Sequence, residues 1–543
     1  MKYISDSAAP SACTCLSSKV SLANIALHDL QNFTLFAQNL QRYLRELFNT
    51  LHINGGLNFI LYVDTYATSI SLPLLTLTSL IIAEVTIIFL LSYHSLLGLM
   101  YFRVKHKLLL SRGRTSRNAL FNGGSKYLLT VVIPIKNEPI DLVVKTVRDG
   151  LKSLREVNGV EILVISDDSE DYVRKLASKL PYSNVRVIKR KESRGGRSAA
   201  LDYGFRLAKG TYVMYVDADA MLGPEISRKI IDSLGSHDVL VIPWRGYYNK
   251  KTKLGEALAY ITTMYSFMYH TLRSALNLFV FPLGSGTIYK KEVLESVNGW
   301  GPGIIQDDIW LGTKLATKGI EPKVLNGCYL DVLVPSKYTA FRIQQCRWAY
   351  GTSEVLSKMF WRIVRAPISA LKKLEMIIYM LQPAISIPVL TSMLLATAAA
   401  VTEGHVGIMA LLHSPVAIAL GIAVIALTAF YSVIEIQVAR DLGLGSVKKI
   451  AFMIGRQAAF HSSLIPLLAV YSILGFIRKK MPYKITPKGP HEDLLSIDTP
   501  LLIMALIAIA LFIVCVLSLN FVAALMLLAF LSPYIYTIIN FSK

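Results

Sequence analysis

Cysteine is scarce in this sequence, and so is negative charge. Five cysteines, Cys13, Cys15, Cys328, Cys346 and Cys515, are spread over 543 residues. They are too few and too scattered for a disulfide framework, and none is joined by a second ligand motif that would make a zinc site. Cys13 and Cys15 stand too close for an easy mutual disulfide and receive no role. Asp and Glu number 36 against 57 Lys and Arg, a formal net charge of +21, yet charged residues are only 17% of the chain. The first residues lack a basic stretch followed by an apolar core, so no cleaved signal peptide is expected. Such charge first suggests a nucleic-acid partner. That reading is disfavoured, because the basic residues sit beside apolar runs rather than along one polar helix. With 53% hydrophobic residues and a mean hydropathy of +0.46, the sequence describes a protein held in a bilayer. Its soluble face then meets anionic lipid or anionic substrate.

The length accommodates one large domain plus membrane spans. Residues 1–71 show no clear period and carry no assignable function. Residues 72–102 are apolar enough to span, interrupted by Glu84 and His94. Arg103, Lys105, Lys107, Arg112, Arg114 and Arg117 follow, which predicts a cytoplasmic flank and an N-terminus outside. Within residues 103–350 the pattern changes: Leu129–Ile135, Glu161–Ser166, Val185–Ile188 and Tyr212–Val216 read as strands between charged helical segments. That alternation predicts a Rossmann-like α/β domain with a parallel sheet.

Residues 351–373 place Lys358, Arg362, Arg365, Lys372 and Lys373 among Phe360, Trp361 and Val364, which predicts an amphipathic helix on the membrane surface. Residues 374–438 form a transmembrane hairpin from Met376–Thr402 and Val406–Ile434. In residues 439–498, Gln457–Ile477 is uncharged but flanked by basic residues on both sides, which predicts an interfacial helix that does not cross. Residues 499–543 form a last hairpin, Leu501–Leu517 and Phe521–Ile539, turning at Ser518-Leu519-Asn520. Five spans, with the C-terminus inside a plasma membrane, are expected.

The candidate chemistry lies at strand ends, where open α/β sheets bind ligands. The first strand runs into Pro134, Lys136, Asn137 and Glu138, and the second into Asp167-Asp168-Ser169. Those aspartates either accept hydrogen bonds from a nucleoside or cap the helix near Asp171. The fourth strand runs into Asp217-Ala218-Asp219, two carboxylates that can share a hard divalent cation such as Mg²⁺ or Mn²⁺. Asp307-Asp308 opens a helix running to Lys318, as dipole complement or as a general base. Gln344-Gln345-Cys346-Arg347-Trp348 supplies an amide, a fixed cation and an indole, for a diphosphate and a sugar ring or for a membrane surface.

The order of these elements resembles the processive family 2 glycosyltransferases, the group of cellulose, hyaluronan and chitin synthases. The resemblance spans roughly residues 72–540 and adds Gly284-Ser285-Gly286-Thr287 and Asn298-Gly299-Trp300. It implies a GT-A domain between transmembrane helices and a nucleotide-sugar donor, with uridine against Pro134, Glu138, Asp167 and Asp168. It implies Asp217 and Asp219 for the metal and diphosphate, Arg347 as a second cation there, Arg197 and Gln344 among the donor contacts, and Asp308 as base, with Asp307 next. Gly284, Ser285 and Trp348 would meet the acceptor, and the basic loop Tyr483–Lys488 would act as a gate. Gln306, Leu283 and Arg197 depart from the usual Thr, Cys and Lys. A lipid acceptor, as in ceramide glucosyltransferase, and a transporter with a non-catalytic cytoplasmic domain are the other readings. The acidic set argues against the transporter, since binding alone needs no base at Asp308.

Overall fold

A computed structural model of the chain describes residues 72–111, 128–192, 194–301, 303–481, 486–487, 492 and 498–541. The expectations for residues 1–71, for Cys13 and Cys15, and for Arg112, Arg114 and Arg117 lie outside the described residues. So do those for Tyr483, Lys484, Ile485 and Lys488 of the basic loop.

Helix α1 (Leu74–Ser111) leads to a domain in the order β1 (Leu129–Ile135), α2 (Ile140–Ser153), β2 (Val160–Ser166), α3 (Glu170–Ser178) and β3 (Val185–Lys189). Next come α4 (Gly196–Leu207), β4 (Tyr212–Tyr215), β5 (Ala220–Leu222), α5 (Ile226–Ser233), β6 (Val239–Val241) and β7 (Trp244–Tyr247). The domain continues with α6 (Lys253–Ser266), β8 (Thr287–Lys290), α7 (Asp307–Thr317), β9 (Lys323–Val324), β10 (Leu330–Leu333) and α8 (Tyr338–Val364).

Seven strands form one sheet in the order β3-β2-β1-β4-β8-β6-β9, and β5-β10-β7 form a second. The central strands are apolar on both faces because both faces are covered. Val131, Ile133, Ile162 and Val164 pack with Val143 and Val147 of α2 and Ile226 and Ile230 of α5. Their neighbours Val132, Leu163, Ile165 and Val213 pack with Leu201 and Phe205 of α4 and Leu311 and Leu315 of α7. The four strands read from sequence pair in parallel. The sheet as a whole is mixed, correcting the parallel expectation, because β8 runs antiparallel to β4 and β6. The chain reaches β8 from the ligand edge, where the Ser285 hydroxyl accepts from the Asp217 backbone N–H at 3.0 Å, so it can only run back across the sheet.

Helices α9 (Ala370–Leu381), α10 (Ser386–Glu403), α11 (Pro415–Asp441), α12 (Val447–Ser462), α13 (Ile465–Phe476), α14 (Thr499–Leu517) and α15 (Phe521–Phe541) follow. Among the described residues, five stretches are long and apolar enough to cross a membrane: Leu74–His106, Ala370–Glu403, Pro415–Asp441, Thr499–Leu517 and Phe521–Phe541. The third starts later than Val406, because Val406 pairs with Asn520. Ser414 then caps α11, accepting from Ala417 N, with Pro415 in its first turn. The surface helix expected at 351–373 is divided between the ends of α8 and α9. The segment Gln457–Ile477 is not one helix; α12 and α13 meet at a 56° bend.

Contacts sort the helix ends into two groups. The Glu403 carboxylate accepts from Leu75 N at 2.6 Å and Thr76 N at 3.0 Å, and Asn520 Nδ2 donates to Thr76 Oγ1 at 3.1 Å. At the other ends Lys105 pairs with Asp441 at 2.7 Å, Arg342 with Asp498 at 2.8 Å, and Lys253 donates to Asn540 at 2.7 Å. The bent pair also meets the catalytic domain: Arg456, within α12, pairs with Glu256 at 3.4 Å, and Arg478, just past α13, donates to the Ser357 carbonyl at 2.6 Å.

Candidate active site

Register sets the site. Ile135 lies opposite Ser166, and Val132 opposite Tyr215, so β1, β2 and β4 deliver their following residues to one edge. Asn137 sits in the left-handed region at φ 59°, and its N–H donates to Asp168 Oδ1 at 2.7 Å. The Ser166 hydroxyl donates to Asp168 Oδ2 at 2.8 Å. The helix cap weighed for the acidic pair belongs to Ser169, whose Oγ accepts from Tyr172 N at 3.2 Å. Asp168 instead fixes the turn that carries Glu138, and Pro134, Glu138 and Asp167 line the adjoining cavity.

Asp167 is held by Arg190, a residue the motif reading missed. Nε and Nη2 of Arg190 each donate at 2.6 Å to the two Asp167 oxygens, and Arg190 also reaches the carbonyls of Arg194 at 3.2 Å and Gly196 at 3.4 Å. Arg190 follows the end of β3 directly, so the strand-end rule, applied to the third strand as to the others, would have found it.

Arg197 stands in the first turn of α4, behind Gly195 at φ 83°. It bonds Asp307, pairs with Asp217 Oδ1 at 2.8 Å and donates to the Gly284 carbonyl at 2.5 Å. One guanidinium therefore joins three separate segments, a use suited to its planar fork. Asp219 lies beyond, and its carbonyl accepts from Tyr247 at 3.0 Å. Ser285, expected at the acceptor, is buried: its hydroxyl holds Asp217 N, and its carbonyl accepts from Trp244 Nε1 at 2.7 Å. Gly284 is the member of that pair that faces the cavity.

Asp307 and Asp308 open α7, where the helix N-terminus favours negative charge. They are not equivalent. Asp307 is bound by Arg197, whereas Asp308 Oδ1 accepts from Gln306 Nε2 at 2.9 Å and Ile309 N at 2.8 Å. Burial first, and the charge of Asp307 second, push the Asp308 carboxyl up to about 6, partly offset by the Ile309 N–H and Arg197. A carboxyl ionised near neutrality yet basic enough to take a proton suits a general base.

Helix α8 closes the site. A Cβ on Gly351 would come 3.1 Å from Gln306 N, so the glycine lets the helix approach the segment that carries Asp308. Gln344, Arg347 and Trp348 line the same cavity as Asp217, Asp219, Asp307 and Asp308, and Arg347 donates to Thr486 Oγ1 at 3.3 Å. This cavity, about 1670 Å³, continues past Tyr265, Tyr269 and Tyr379 to His94, Tyr431, Gln457 and Phe530 on the apolar helices. Among the described residues no group of three or more His, Cys, Asp or Glu side chains could hold a metal. The Asp217 and Asp219 pair fits a cation that takes its other ligands from phosphate oxygens and water, as Mg²⁺ commonly does.

Residues 130–297 match the model of glycosyl transferase family 2. A probable glycosyltransferase of Sulfolobus acidocaldarius is 31% identical over 427 residues, 77% of this chain and 90% of that protein. A poly-β-1,6-N-acetyl-D-glucosamine synthase of Staphylococcus aureus is 28% identical over 235 residues, 42% of this chain and 54% of that protein. Among solved structures, the mannosyltransferase of Pyrobaculum calidifontis in complex with GDP-Man and Mn²⁺ aligns with 73% of this chain and all of that one, at 17% identity and a TM-score of 0.45. The Sulfolobus relative extends the match well beyond the family model, and the chain belongs to glycosyltransferase family 2 and is a glycosyltransferase.

Proposed function

We propose that the protein transfers sugar from a uridine-diphosphate donor to a growing polysaccharide by a single inverting displacement, on the cytoplasmic face of the plasma membrane. One observation carries this reading: the carboxylates Asp217, Asp219, Asp307 and Asp308, with Arg347 and Trp348, line a single cavity that runs on between apolar helices. Pro134, Glu138 and Asp167 bound the space for the nucleoside, and Asp168 holds the turn that carries Glu138. Asp217 and Asp219 hold the divalent metal, Mg²⁺ or Mn²⁺, and Arg197, Gln344 and Arg347 meet the diphosphate. Bound there, the cation would neutralise charge developing on the leaving group. Asp308 takes the proton from the acceptor hydroxyl as that oxygen attacks the anomeric carbon. Trp348 and Gly284 bear the acceptor's terminal sugar, and Ser285 supports Asp217 from behind. The continuing cavity, with its tyrosines, gives the product a way through the membrane helices, coupling synthesis to export.

A lipid-linked acceptor is a second reading, favoured by Ile87, Leu91, Val389 and Phe530 on the cavity wall. Purified protein is incubated with a panel of nucleotide sugars and the product is sized. A ladder of long chains supports the polymerase, and a single sugar on an extractable lipid supports the second reading. Asp219→Asn should lose most turnover while still folding; full activity of that variant in EDTA would remove the metal from the reading.

A further inference from the structure

Arg197 lies against one of the two carboxylates proposed to hold the divalent cation. Its Nη2 pairs with Asp217 Oδ1 at 2.8 Å, so the guanidinium holds one of the two carboxylates of the Asp217-Ala218-Asp219 element. Its Nη1 bonds Asp307, and Nη2 also donates to the Gly284 carbonyl at 2.5 Å. The two ion pairs differ in setting. Asp307 is only 10% exposed, whereas Asp217 is 38% exposed and faces the cavity. Turning about its Asp307 contact would release Asp217, together with the Gly284 carbonyl that the same Nη2 holds. A lysine, with one compact ammonium, could not hold both carboxylates in this way.

We infer that Arg197 competes with the divalent cation for Asp217, and that the donor's diphosphate ends the competition by drawing the guanidinium to itself. This rests on the assignment of Asp217 and Asp219 to the metal. The electrostatics run one way. A cation approaching Asp217 meets a fixed positive charge already bonded to that carboxylate, which weakens its binding. A diphosphate arriving with the cation offers Arg197 charged oxygens of its own, in the paired geometry that guanidinium prefers. Metal and nucleotide diphosphate then each strengthen the other's binding, reciprocally, and the loaded site forms from both together rather than from the metal alone. Arg197 is here a positioning residue that sets the order of loading.

The test is a Mn²⁺ titration of the purified full-length protein, followed by the electron paramagnetic resonance signal of free Mn²⁺, with and without UDP. The wild type should bind Mn²⁺ weakly alone and more tightly with saturating UDP. Arg197→Met should bind Mn²⁺ without UDP roughly tenfold more tightly than the wild type, and its gain on adding UDP should shrink, in the usual range of coupling between sites. Arg197→Lys, which keeps the charge and loses the fork, should fall between them. It also serves if the Met variant melts early. Equal or weaker nucleotide-free affinity in both variants overturns the competition while leaving Asp217 and Asp219 as the metal site. Absence of Mn²⁺ binding in every protein, with or without UDP, overturns that assignment and the competition with it.

Discussion

Arg190 and Asp167 form a two-pronged ion pair, Nε to Oδ1 and Nη2 to Oδ2 at 2.6 Å each, with both side chains almost wholly buried. Such a pair gives little net stability as a whole, but removing one partner strands the other charge. Arg190→Met should therefore cost about 3–5 kcal/mol, seen as an early thermal transition in detergent. Asp167→Asn should cost less, because Arg190 keeps the carbonyls of Arg194 and Gly196. If Asp167 served the nucleoside alone, Arg190→Met would leave melting untouched and raise only the donor KM.

Gly351 faces the backbone of Gln306, and a Cβ there would sit 2.6 Å from Gln306 Cβ. Alanine in mid-helix gains about 0.5–1 kcal/mol of backbone propensity, but overpacking costs about 1–3 kcal/mol, so the clash wins. Gly351→Ala should melt earlier and lower kcat at least about tenfold, because Gln306 orients Asp308, the proposed base, and a displaced base transfers protons poorly. UDP binding should change little. Unchanged kcat in this variant would show that the α8 contact does not position the base.

The contacts of the helix ends predict topology. Glu403 and Asn520 meet the start of α1, whereas Asp441, Asp498 and Asn540 meet the end of α1 or the catalytic domain. Five crossings satisfy this division with the bent pair α12–α13 entering and returning. A cysteine introduced at Gly404 should then react with an impermeant maleimide from outside, and one at Lys480 only after permeabilisation. Labelling of both from one side would mean that the bent pair crosses.

The parts legible in the sequence were those where local pattern and tertiary role coincide. Val131, Val132 and Ile133 alternate between two covered faces, so β1 reads as a run of β-branched residues whatever its neighbours do. Asp217-Ala218-Asp219 and Asp307-Asp308 were visible because a strand end and a helix start are marked locally. Val239–Val241 and Thr287–Lys290 are too short to stand out, and the reversed direction of β8 is set by a loop whose course only the fold reveals. The acceptor role expected of Ser285 came from the family resemblance of the Gly284-Ser285-Gly286-Thr287 element. Nothing in the sequence says that its hydroxyl turns inward to Asp217 N. The start of α11 was readable and was missed: Ser414-Pro415 is a cap followed by a first-turn proline.

The last prediction separates chemistry from binding at Asp308. Burial and Asp307 raise its carboxyl to about 6, against an ordinary value near 3.8. As a base it works only when ionised, so kcat/KM for the acceptor should climb with pH along a limb of pKa about 6 and level off above it. The sign for stability is opposite. A carboxyl whose folded pKa is raised binds protons more tightly in the folded state. Its contribution to stability is therefore fullest below the unfolded value and is lost as pH rises through about 6. Asp308→Asn removes the titration, so the rate limb and this slope of melting temperature should vanish together. Turnover should fall by roughly two to four orders of magnitude, the usual worth of a placed base. Donor affinity should stay within a few fold, because Asp217, Asp219 and Arg347 are untouched. Trp348→Ala should slow sugar transfer more than donor hydrolysis by water, since it removes only the acceptor's platform. A pure helix cap predicts otherwise, with about 1 kcal/mol of stability lost and the rate kept. Normal turnover in Asp308→Asn would move the base to Asp307, the neighbouring carboxylate that Arg197 contacts.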